Sequence, residues 1–305
     1  METQLSAPPA MPTVEGVEHR WIALSDGRMH VALAGAGDPV LLLSGFGQTW
    51  WEWRDIIPAL APRYRLIAPD LRGEGWSELP VDAISRTRRC ADVLELLSAL
   101  ELDRVRIVSH DMGAITAMQL ALQHPDRVVA QVMLGVPPVQ MRFSPALLPG
   151  MRHLWFEEAL AIPGLGARLL RGGRLPRWLY SHFSARPLAD DVVDRYVSLL
   201  RDPGLARAGS MLNRRMVLPE LGRIVRGTYR GTRYAMPSLF AFGAEDVAFP
   251  PAVARAVLAD TAEFGDDVEL AFVEGAAHFV ADEAPAATAR LVAEFFEAHP
   301  GRASA

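Results

Sequence analysis

The sequence predicts an α/β protein whose mostly parallel, eight-stranded sheet is interrupted by helices after its sixth strand. Short apolar runs of strand length alternate with helical patterns, which is typical of a parallel sheet covered by helices. Between residues 137 and 235 the strand-like runs stop, while helix-like pieces and Pro/Gly breaks continue. We therefore expect three parts: the first part of a core at 17–136, a helical cap at 137–235 and the second part of the core at 236–300.

The strand-like runs are of two kinds. The first two flank Asp26-Gly27, a pair that is typical of a tight turn between antiparallel strands. The others are short and apolar, as expected of strands that are buried on both faces of a parallel sheet. In chain order, we expect strands at 19–25, 29–34, 40–43, 65–69, 105–108, 128–134, 238–242 and 268–273. Helices are expected at 53–61, 85–100, 115–124, 154–160, 188–200, 206–217, 251–262 and 285–299.

Composition and charge exclude several classes of function. The chain has 305 residues, of which 50% are apolar, so it can bury a substantial core. Its formal net charge of −5 argues against nucleic-acid binding and against a polybasic membrane surface. All 31 basic residues are arginine. Without lysine, Walker-A phosphate binding and Schiff-base catalysis are excluded, because each needs a lysine amine.

Cysteine use and the N-terminal segment bear on the compartment. Cys90 is the single cysteine, so no internal disulfide can form, and a reducing, cytoplasmic compartment is expected. We expect Cys90 to face the core. Residues 1–16 are rich in Pro and Ala and are expected to form a loose arm without the features of a signal peptide. No apolar run has the length of a membrane span.

The junction between the fifth strand and the next helix carries the main candidate for chemistry. It reads Ser109-His110-Asp111-Met112-Gly113, with small residues two positions before and two positions after Asp111. This is the spacing of a nucleophile elbow, a turn so tight that only small residues fit at those positions and the central side chain is exposed above the sheet. Aspartate is also a common helix N-cap. The segment alone therefore leaves both interpretations of Asp111 open.

Two further candidates follow strand ends later in the chain. Asp246 comes just after the seventh strand, and His278 comes just after the last. The chain order of nucleophile, acid and histidine is the order that accompanies a nucleophile elbow. Three such residues at three strand ends favour a catalytic array of Asp111, Asp246 and His278. Glu245 is the rival for the acid, but the spacing from Gly243 favours Asp246.

A glycine-containing loop, residues 44–47, follows the third strand. In folds with a nucleophile elbow, such a loop supplies one backbone N–H to an oxyanion hole, and the residue after the nucleophile supplies the other. We therefore assign the two donors to the main chains of Phe46 and Met112. The alternative, a nucleotide-binding sheet, needs Gly-x-Gly-x-x-Gly after its first strand. The candidate at 35–37 has Val40 in place of the third glycine.

These motifs resemble those of soluble epoxide hydrolases of the α/β-hydrolase superfamily. The resemblance covers nearly the whole predicted core and is weaker in the cap. It implies an α/β-hydrolase fold with a cap inserted after strand 6, and a hydrolase that needs no cofactor. In that chemistry Asp111 attacks an epoxide carbon to form an alkyl ester, and His278, oriented by Asp246, activates the water that hydrolyses the ester. The segments that carry the resemblance are 44–54, 68–77, 109–114 and 275–279.

The cap departs from that family where the epoxide oxygen would be protonated. The family uses two cap tyrosines, one upstream of a cap proline and one just before a cap arginine. Counting back from Pro163 leads to Phe156, with Trp155 beside it, and matching the arginine to Arg214 leads to Asn213. We expect Trp155, Phe156 and Asn213 to bind substrate there, although none of them can release a proton. Other cap residues that could substitute are Tyr180, Tyr196, His153 and His182.

Two related enzyme activities match the residues after Asp111 less well. Haloalkane dehalogenases place a tryptophan after the nucleophile, where this chain has Met112, and fluoroacetate dehalogenases place arginines there, where residues 112–117 have none. A dehalogenase-type hydrolase, or a non-hydrolytic or ligand-binding homologue, is the alternative to an epoxide hydrolase for a bulky apolar substrate. The expected partner is a small-molecule substrate. No nucleic acid, membrane, metal or cofactor is expected, and a homodimer stays open.

Overall fold

The computed structural model describes residues 9–143 and 145–301, and one eight-stranded sheet forms its centre. The strands are β1 (Glu18–Leu24), β2 (Gly27–Ala34), β3 (Asp38–Leu43), β4 (Tyr64–Pro69), β5 (Val105–His110), β6 (Val128–Leu134), β7 (Ser238–Gly243) and β8 (Val268–Val273). They lie in the order β1-β2-β4-β3-β5-β6-β7-β8. β2 is antiparallel to both of its neighbours, and the other adjacent pairs are parallel. The predicted mostly parallel sheet is confirmed.

Helices pack on both faces of this sheet and fill the segment between β6 and β7. In chain order they are α1 (Ile57–Leu60), α2 (Arg86–Ala99), α3 (Asp111–Gln123), α4 (Leu148–Met151), α5 (Phe156–Ala161), α6 (Leu165–Arg171), α7 (Arg174–His182), α8 (Asp190–Leu200), α9 (Pro203–Leu212), α10 (Leu218–Val225), α11 (Pro251–Val257), α12 (Val280–Glu283) and α13 (Pro285–Ala298). Helices α4 to α10 occupy the stretch in which the cap is predicted. A π-helical turn, Asn213–Val217, joins α9 to α10.

Two apolar cores lie against the sheet, and they explain why these segments become strands. β5 and β7 are buried along their whole length, as their apolar sequences predict. Burial of each large aliphatic side chain contributes about 1.5–3 kcal/mol, so the sheet is stabilised mainly through its covered faces. Cys90 lies in one of these cores, and burial raises the pKa of its thiol to about 11. This is the expected core position for a side chain with little thiolate at neutral pH.

Several helix predictions need correction. The segment predicted as one helix at 53–61 forms a 3₁₀ turn, Trp50–Trp53, and then the short α1. α3 begins at Asp111 rather than at residue 115. α6 and α7 are absent from the prediction, because their flanking glycines look only like breaks. Gly164 and Gly173 have φ of 77° and 75° and stand just before these helices, a backbone region that favours glycine.

The N-terminal segment is only partly described. Residues 1–8 of the arm predicted at 1–16 lie outside the described residues. From residue 9 the chain is attached to the core: the Trp76 indole N–H donates to the Pro9 carbonyl, and the Trp50 indole N–H lies 3.3 Å from the Met11 sulfur. The expectation of a loose arm is therefore wrong for these residues. Across the described part of the chain, no helix has the length and apolar character needed to cross a membrane.

Candidate active site

The β5–α3 junction forms the expected tight turn. β5 ends at His110, α3 starts at Asp111, and Asp111 has φ of 44°, in the left-handed region that strains a non-glycine residue. A Cβ added at Gly113 would lie 2.4 Å from the carbonyl oxygen of Leu43, which explains why glycine is needed there. The turn places the Asp111 carboxylate above the carboxyl edge of the sheet, at the start of a helix, where free backbone N–H groups favour an anion.

Each oxygen of the Asp111 carboxylate has a different environment. Oδ2 accepts a hydrogen bond from the Phe46 backbone N–H at 2.8 Å. Oδ1 lies 4.0 Å from His278 Nε2. The Met112 N–H follows in the first turn of α3, where backbone N–H groups have no partner within the helix. Of the two backbone groups predicted as oxyanion donors, the structure brings the Phe46 N–H to the Asp111 carboxylate, and the Met112 N–H belongs to the next residue in the chain.

His278 lies between two carboxylates that follow other strands. Its Nδ1 is 3.3 Å from Asp246 Oδ2, on the side opposite Asp111. The other oxygen of Asp246 accepts backbone N–H groups from Ala248 and Phe249, at 2.8 and 3.1 Å. Asp246 is buried and firmly held, whereas its rival Glu245 is exposed. The structure thus brings Asp111, His278 and Asp246 together in one line.

Gly135, just after β6, packs against the ring of His278. It has φ of 72°, and an added Cβ would lie 3.2 Å from both Cε1 and Nδ1 of His278. We expect Gly135→Ala to lower the free energy of unfolding by about 1–2 kcal/mol because of the left-handed backbone. We also expect turnover to fall about 10- to 100-fold, because displacement of the ring misplaces a reacting group. Urea unfolding and turnover measure the two effects.

Gly275 provides the control for this substitution. Its φ is 74°, and an added Cβ would have nothing within 4 Å. Gly275→Ala should therefore cost similar stability and leave turnover unchanged. Equal turnover in the two variants would show that Gly135 does not position His278.

His110, directly before Asp111, forms a buried pair with Glu52. His110 Nδ1 lies 2.8 Å from Glu52 Oε1 and 3.1 Å from Gln48 Oε1, and Nε2 lies 2.9 Å from the carbonyl oxygen of His278. Both ring nitrogens therefore face acceptors, which favours the doubly protonated imidazolium. Burial alone would lower the pKa of His110, but Glu52 above all outweighs it and raises the pKa to about 9. Glu52 Oε2 also accepts the Gly45 backbone N–H in the loop before Phe46.

The cap tyrosines considered as substitutes already have partners. The Tyr180 hydroxyl donates to the carbonyl of Gly47 at 2.8 Å. The Tyr196 hydroxyl lies 3.2 Å from both oxygens of Asp282, which is also paired with Arg54. Burial raises the pKa of each phenol well above its ordinary value. Neither hydroxyl is arranged to give a proton to a substrate.

The two cap histidines considered as substitutes face each other. His153 Nδ1 lies 2.8 Å from His182 Nε2, and the His182 ring stacks on Trp178. Neither imidazole is among the described residues that line the cavity above Asp111.

That cavity, of about 200 Å³, opens above Asp111 between the core and the cap. Most of the side chains that line it are apolar, and they include Phe156. Trp155, by contrast, is 53% exposed and packs on Trp178. Asn213 is fully buried, and its amide donates to the carbonyl of Gly209. Of the expected cap contacts, the structure therefore brings only Phe156 to the cavity. Other lining residues include Phe46, Met112, Ile115, Met118, Val136, Leu179, Tyr180, Phe183, Leu200, Val217, His278 and Phe279.

Glu157 also lines the cavity, and sequence reasoning missed it. It is half-buried, and burial is the main cause that raises the pKa of its carboxyl to about 8. The negative charge of Asp111 raises it further. The signal in the sequence is an acidic pair, Glu157-Glu158, directly after Phe156 and between apolar residues.

No metal-binding group adjoins this cavity among the described residues. The cluster that geometry allows is Asp267, Glu269 and His299, at the other end of β8 from His278. Its two carboxylates are exposed, and each pairs with His299, at 3.2 and 3.7 Å. Exposed carboxylates in such groups are common without an ion, so this cluster carries no role here.

The comparison with known proteins agrees with this architecture. Residues 38–285 match the family model described as the alpha/beta hydrolase fold. The soluble epoxide hydrolase of Corynebacterium sp. (strain C12) is 29% identical over 291 residues, with 92% of this chain and 97% of that protein covered. Haloalkane dehalogenase 2 of Mycobacterium tuberculosis is 32% identical over 294 residues, with 93% and 97% covered.

A solved structure shows the same likeness. The epoxide hydrolase CorEH, without ligand, has a TM-score of 0.79 at 27% identity and covers 92% of this chain and 99% of its own. The relatives are named as epoxide hydrolases and dehalogenases, both of which are hydrolases. The chain therefore belongs to the α/β-hydrolase fold family and is an enzyme of the hydrolase class.

Proposed function

We propose that the chain hydrolyses an epoxide through a covalent ester on Asp111. The observation that carries the proposal is the line of Asp111, His278 and Asp246 beneath an apolar cavity. Oδ2 of Asp111 is held by the Phe46 N–H, so Oδ1 is the oxygen that attacks a ring carbon. A carboxylate suits attack on a saturated carbon with a leaving oxygen, whereas attack on an acyl carbon would give a labile anhydride.

The same geometry serves the hydrolysis of the ester. After attack through Oδ1, the ester carbonyl oxygen is Oδ2, which accepts the Phe46 N–H. The Met112 N–H, from the residue after Asp111, is the second donor in this proposal. His278 Nε2 takes a proton from water, and Asp246 stabilises the imidazolium that forms. Negative charge then develops on Oδ2, where the two backbone donors act as an oxyanion hole. Collapse of the tetrahedral intermediate releases the diol and restores the Asp111 carboxylate.

The walls of the cavity indicate the class of substrate. Apolar side chains from the core and the cap surround the reacting carboxylate, and the relatives named above include epoxide hydrolases. Burial of apolar surface is the main source of affinity in such a pocket. We infer an apolar epoxide, bound with its ring over Asp111.

The test uses His278→Gln, which removes the base for the second step and should leave the ester on Asp111. We expect styrene oxide to add its whole mass to the peptide that contains Asp111, as read by mass spectrometry. The double variant with Asp111→Asn is the control and should carry no adduct. Failure of the His278→Gln protein to form any adduct would contradict the covalent mechanism.

Release of a halide is the second candidate, because the Mycobacterium tuberculosis haloalkane dehalogenase 2 is 32% identical to this chain. Among the described residues that line the cavity, there is no tryptophan, arginine or asparagine to hold a halide. Phenethyl bromide separates the candidates, because its adduct lacks the mass of the bromide. An adduct from this probe together with none from styrene oxide would favour the dehalogenase.

A further inference from the structure

Opening of an epoxide creates an alkoxide, and this cavity must supply its proton. An alkoxide is a poor leaving group, so an acid that protonates it during ring opening accelerates the step. The hydroxyls of Tyr180 and Tyr196 donate elsewhere, to the Gly47 carbonyl and to Asp282. The positions matched to the tyrosines of related enzymes hold Phe156 and Asn213, neither of which is an acid.

We propose that Glu157 is the acid that protonates the oxygen of the opening epoxide. The inference rests on the Asp111 ester mechanism and supplies the component that the mechanism still lacks. Glu157 lies in α5 of the cap, directly after Phe156, and lines the same cavity as Asp111 and His278. The core therefore presents the nucleophile to the substrate, and the cap presents the acid.

The surroundings of the Glu157 carboxyl group leave it free to act in this way. Among the described residues, no arginine or histidine forms an ion pair with its carboxyl group. Glu220, on the neighbouring helix α10, also lines the cavity, but it accepts from the Tyr229 hydroxyl and pairs with Arg223. Glu158 also lines the cavity, but it is exposed to solvent. Of the three glutamates that the described part of the chain places on the cavity, Glu157 is therefore the one that is both shielded from solvent and without a cation, so it can hold a proton and release it to a ligand.

Burial keeps that proton in place at neutral pH. It raises the pKa of Glu157 to about 8, with help from the negative charges of Asp111 and Glu158. α5 packs against α6, α9, α10 and the π-helical turn. Of the charged residues on those elements, Glu220 is the one that lines the cavity. When Asp111 becomes an ester it loses its charge, which removes part of the cause of the raised pKa. Glu157 therefore becomes a stronger acid as the alkoxide forms.

The protons balance over one turnover. The bond from Asp111 Oδ1 to carbon forms as the ring C–O bond breaks, and the Glu157 proton passes to the ring oxygen to give the first hydroxyl. Water then attacks the ester carbon, and His278 takes one of its protons. One proton of this water completes the second hydroxyl of the diol, and the other returns to Glu157.

The experiment measures the first step alone. In the His278→Gln background, the rate at which styrene oxide alkylates Asp111 is followed by mass spectrometry across a pH series. We expect Glu157→Gln to slow this rate about 100-fold or more. The rate should also decline as the pH rises through about 8 when Glu157 is present, and stay flat when it is replaced. Glu294→Gln, which removes an exposed carboxylate of α13 outside the cavity, should stay within about twofold of the background rate.

Phenethyl bromide distinguishes an acid from a residue that only shapes the pocket. Bromide leaves without a proton, so Glu157→Gln should slow alkylation by styrene oxide while alkylation by the bromide persists. An equal fall with both probes, or no fall with the epoxide, would overturn the role of Glu157 and leave the Asp111 ester standing. Absence of any adduct in the His278→Gln protein would overturn both proposals together.

Discussion

Asp111→Asn should reduce turnover by about 10⁴-fold or more while the protein stays folded. The amide is a very weak nucleophile, so the ester cannot form, and loss of a covalent nucleophile typically costs this much. Asparagine tolerates the left-handed backbone better than most residues, and the φ of 44° at this position can therefore be kept. Product formation from styrene oxide and a urea unfolding curve measure the two expectations.

Asp111→Ala is the companion variant. It should lose as much turnover as Asp111→Asn but also lose about 1–2 kcal/mol of stability, because alanine is strained in the left-handed region. The pair thus separates chemistry from backbone strain. Turnover that survives in Asp111→Asn would remove Asp111 from the nucleophile position and leave it as a helix cap.

The core of this protein is predictable from sequence because its signals are local. Each predicted strand has its own local signal, either an apolar run or the Asp26-Gly27 turn, and all eight are found as strands. The sequence signal of the tight turn at Asp111 is equally local, because the backbone at position 113 lies so close to the Leu43 carbonyl that only glycine fits there. Asp246 and His278 follow strand ends in chain order, so parallel strands bring them to the same edge of the sheet as Asp111.

The cap is less predictable, because the direction of a side chain there depends on packing between helices. Trp155 and Glu157 are two positions apart, which places them on different sides of α5, and only the tertiary structure shows which side faces the cavity. Asn213 begins a π-helical turn, whose extra residue per turn shifts the direction of the residues around it. Matching by sequence spacing alone could not detect that shift.

The charged pair behind the site is a second feature that the sequence did not show. The segment 50–53 contains three tryptophans, and all three are buried. Glu52, between two of them, is buried with His110 as its partner. The elbow motif is centred on Asp111, whereas the structure shows that His110, the residue before it, faces the buried Glu52 carboxyl group at 2.8 Å.

Glu52→Gln should destabilise the protein by about 3–5 kcal/mol, the usual cost of breaking a buried ion pair on one side. Without the carboxylate, the second proton of His110 is a buried charge with no partner, which costs free energy whether the proton is kept or given up. Glu52 also accepts the Gly45 N–H in the loop that carries Phe46, so turnover should fall as well. Urea unfolding at pH 6 measures the loss of stability.

The pH dependence identifies the pair as the cause. The pKa of His110 is raised from 6.5 to about 9, so its contribution is fully present below about pH 6.5 and is lost as the pH rises through about 9. Because a tenfold change in proton affinity corresponds to about 1.4 kcal/mol, this contribution amounts to about 3 kcal/mol. Other buried acidic residues also make the free energy of unfolding depend on pH, but they do so in wild type and in Glu52→Gln alike. The difference between wild type and Glu52→Gln should therefore be large near pH 6 and shrink towards pH 9.

A double variant completes the argument. Glu52→Gln with His110→Gln replaces the ion pair by two neutral amides that can still bond to each other, so no lone charge is buried. Its free energy of unfolding should exceed that of Glu52→Gln, because the penalty of an unpaired buried group is removed. A single variant that loses less than about 1 kcal/mol, or a difference from wild type that stays constant with pH, would show that the pair is neutral in the folded protein.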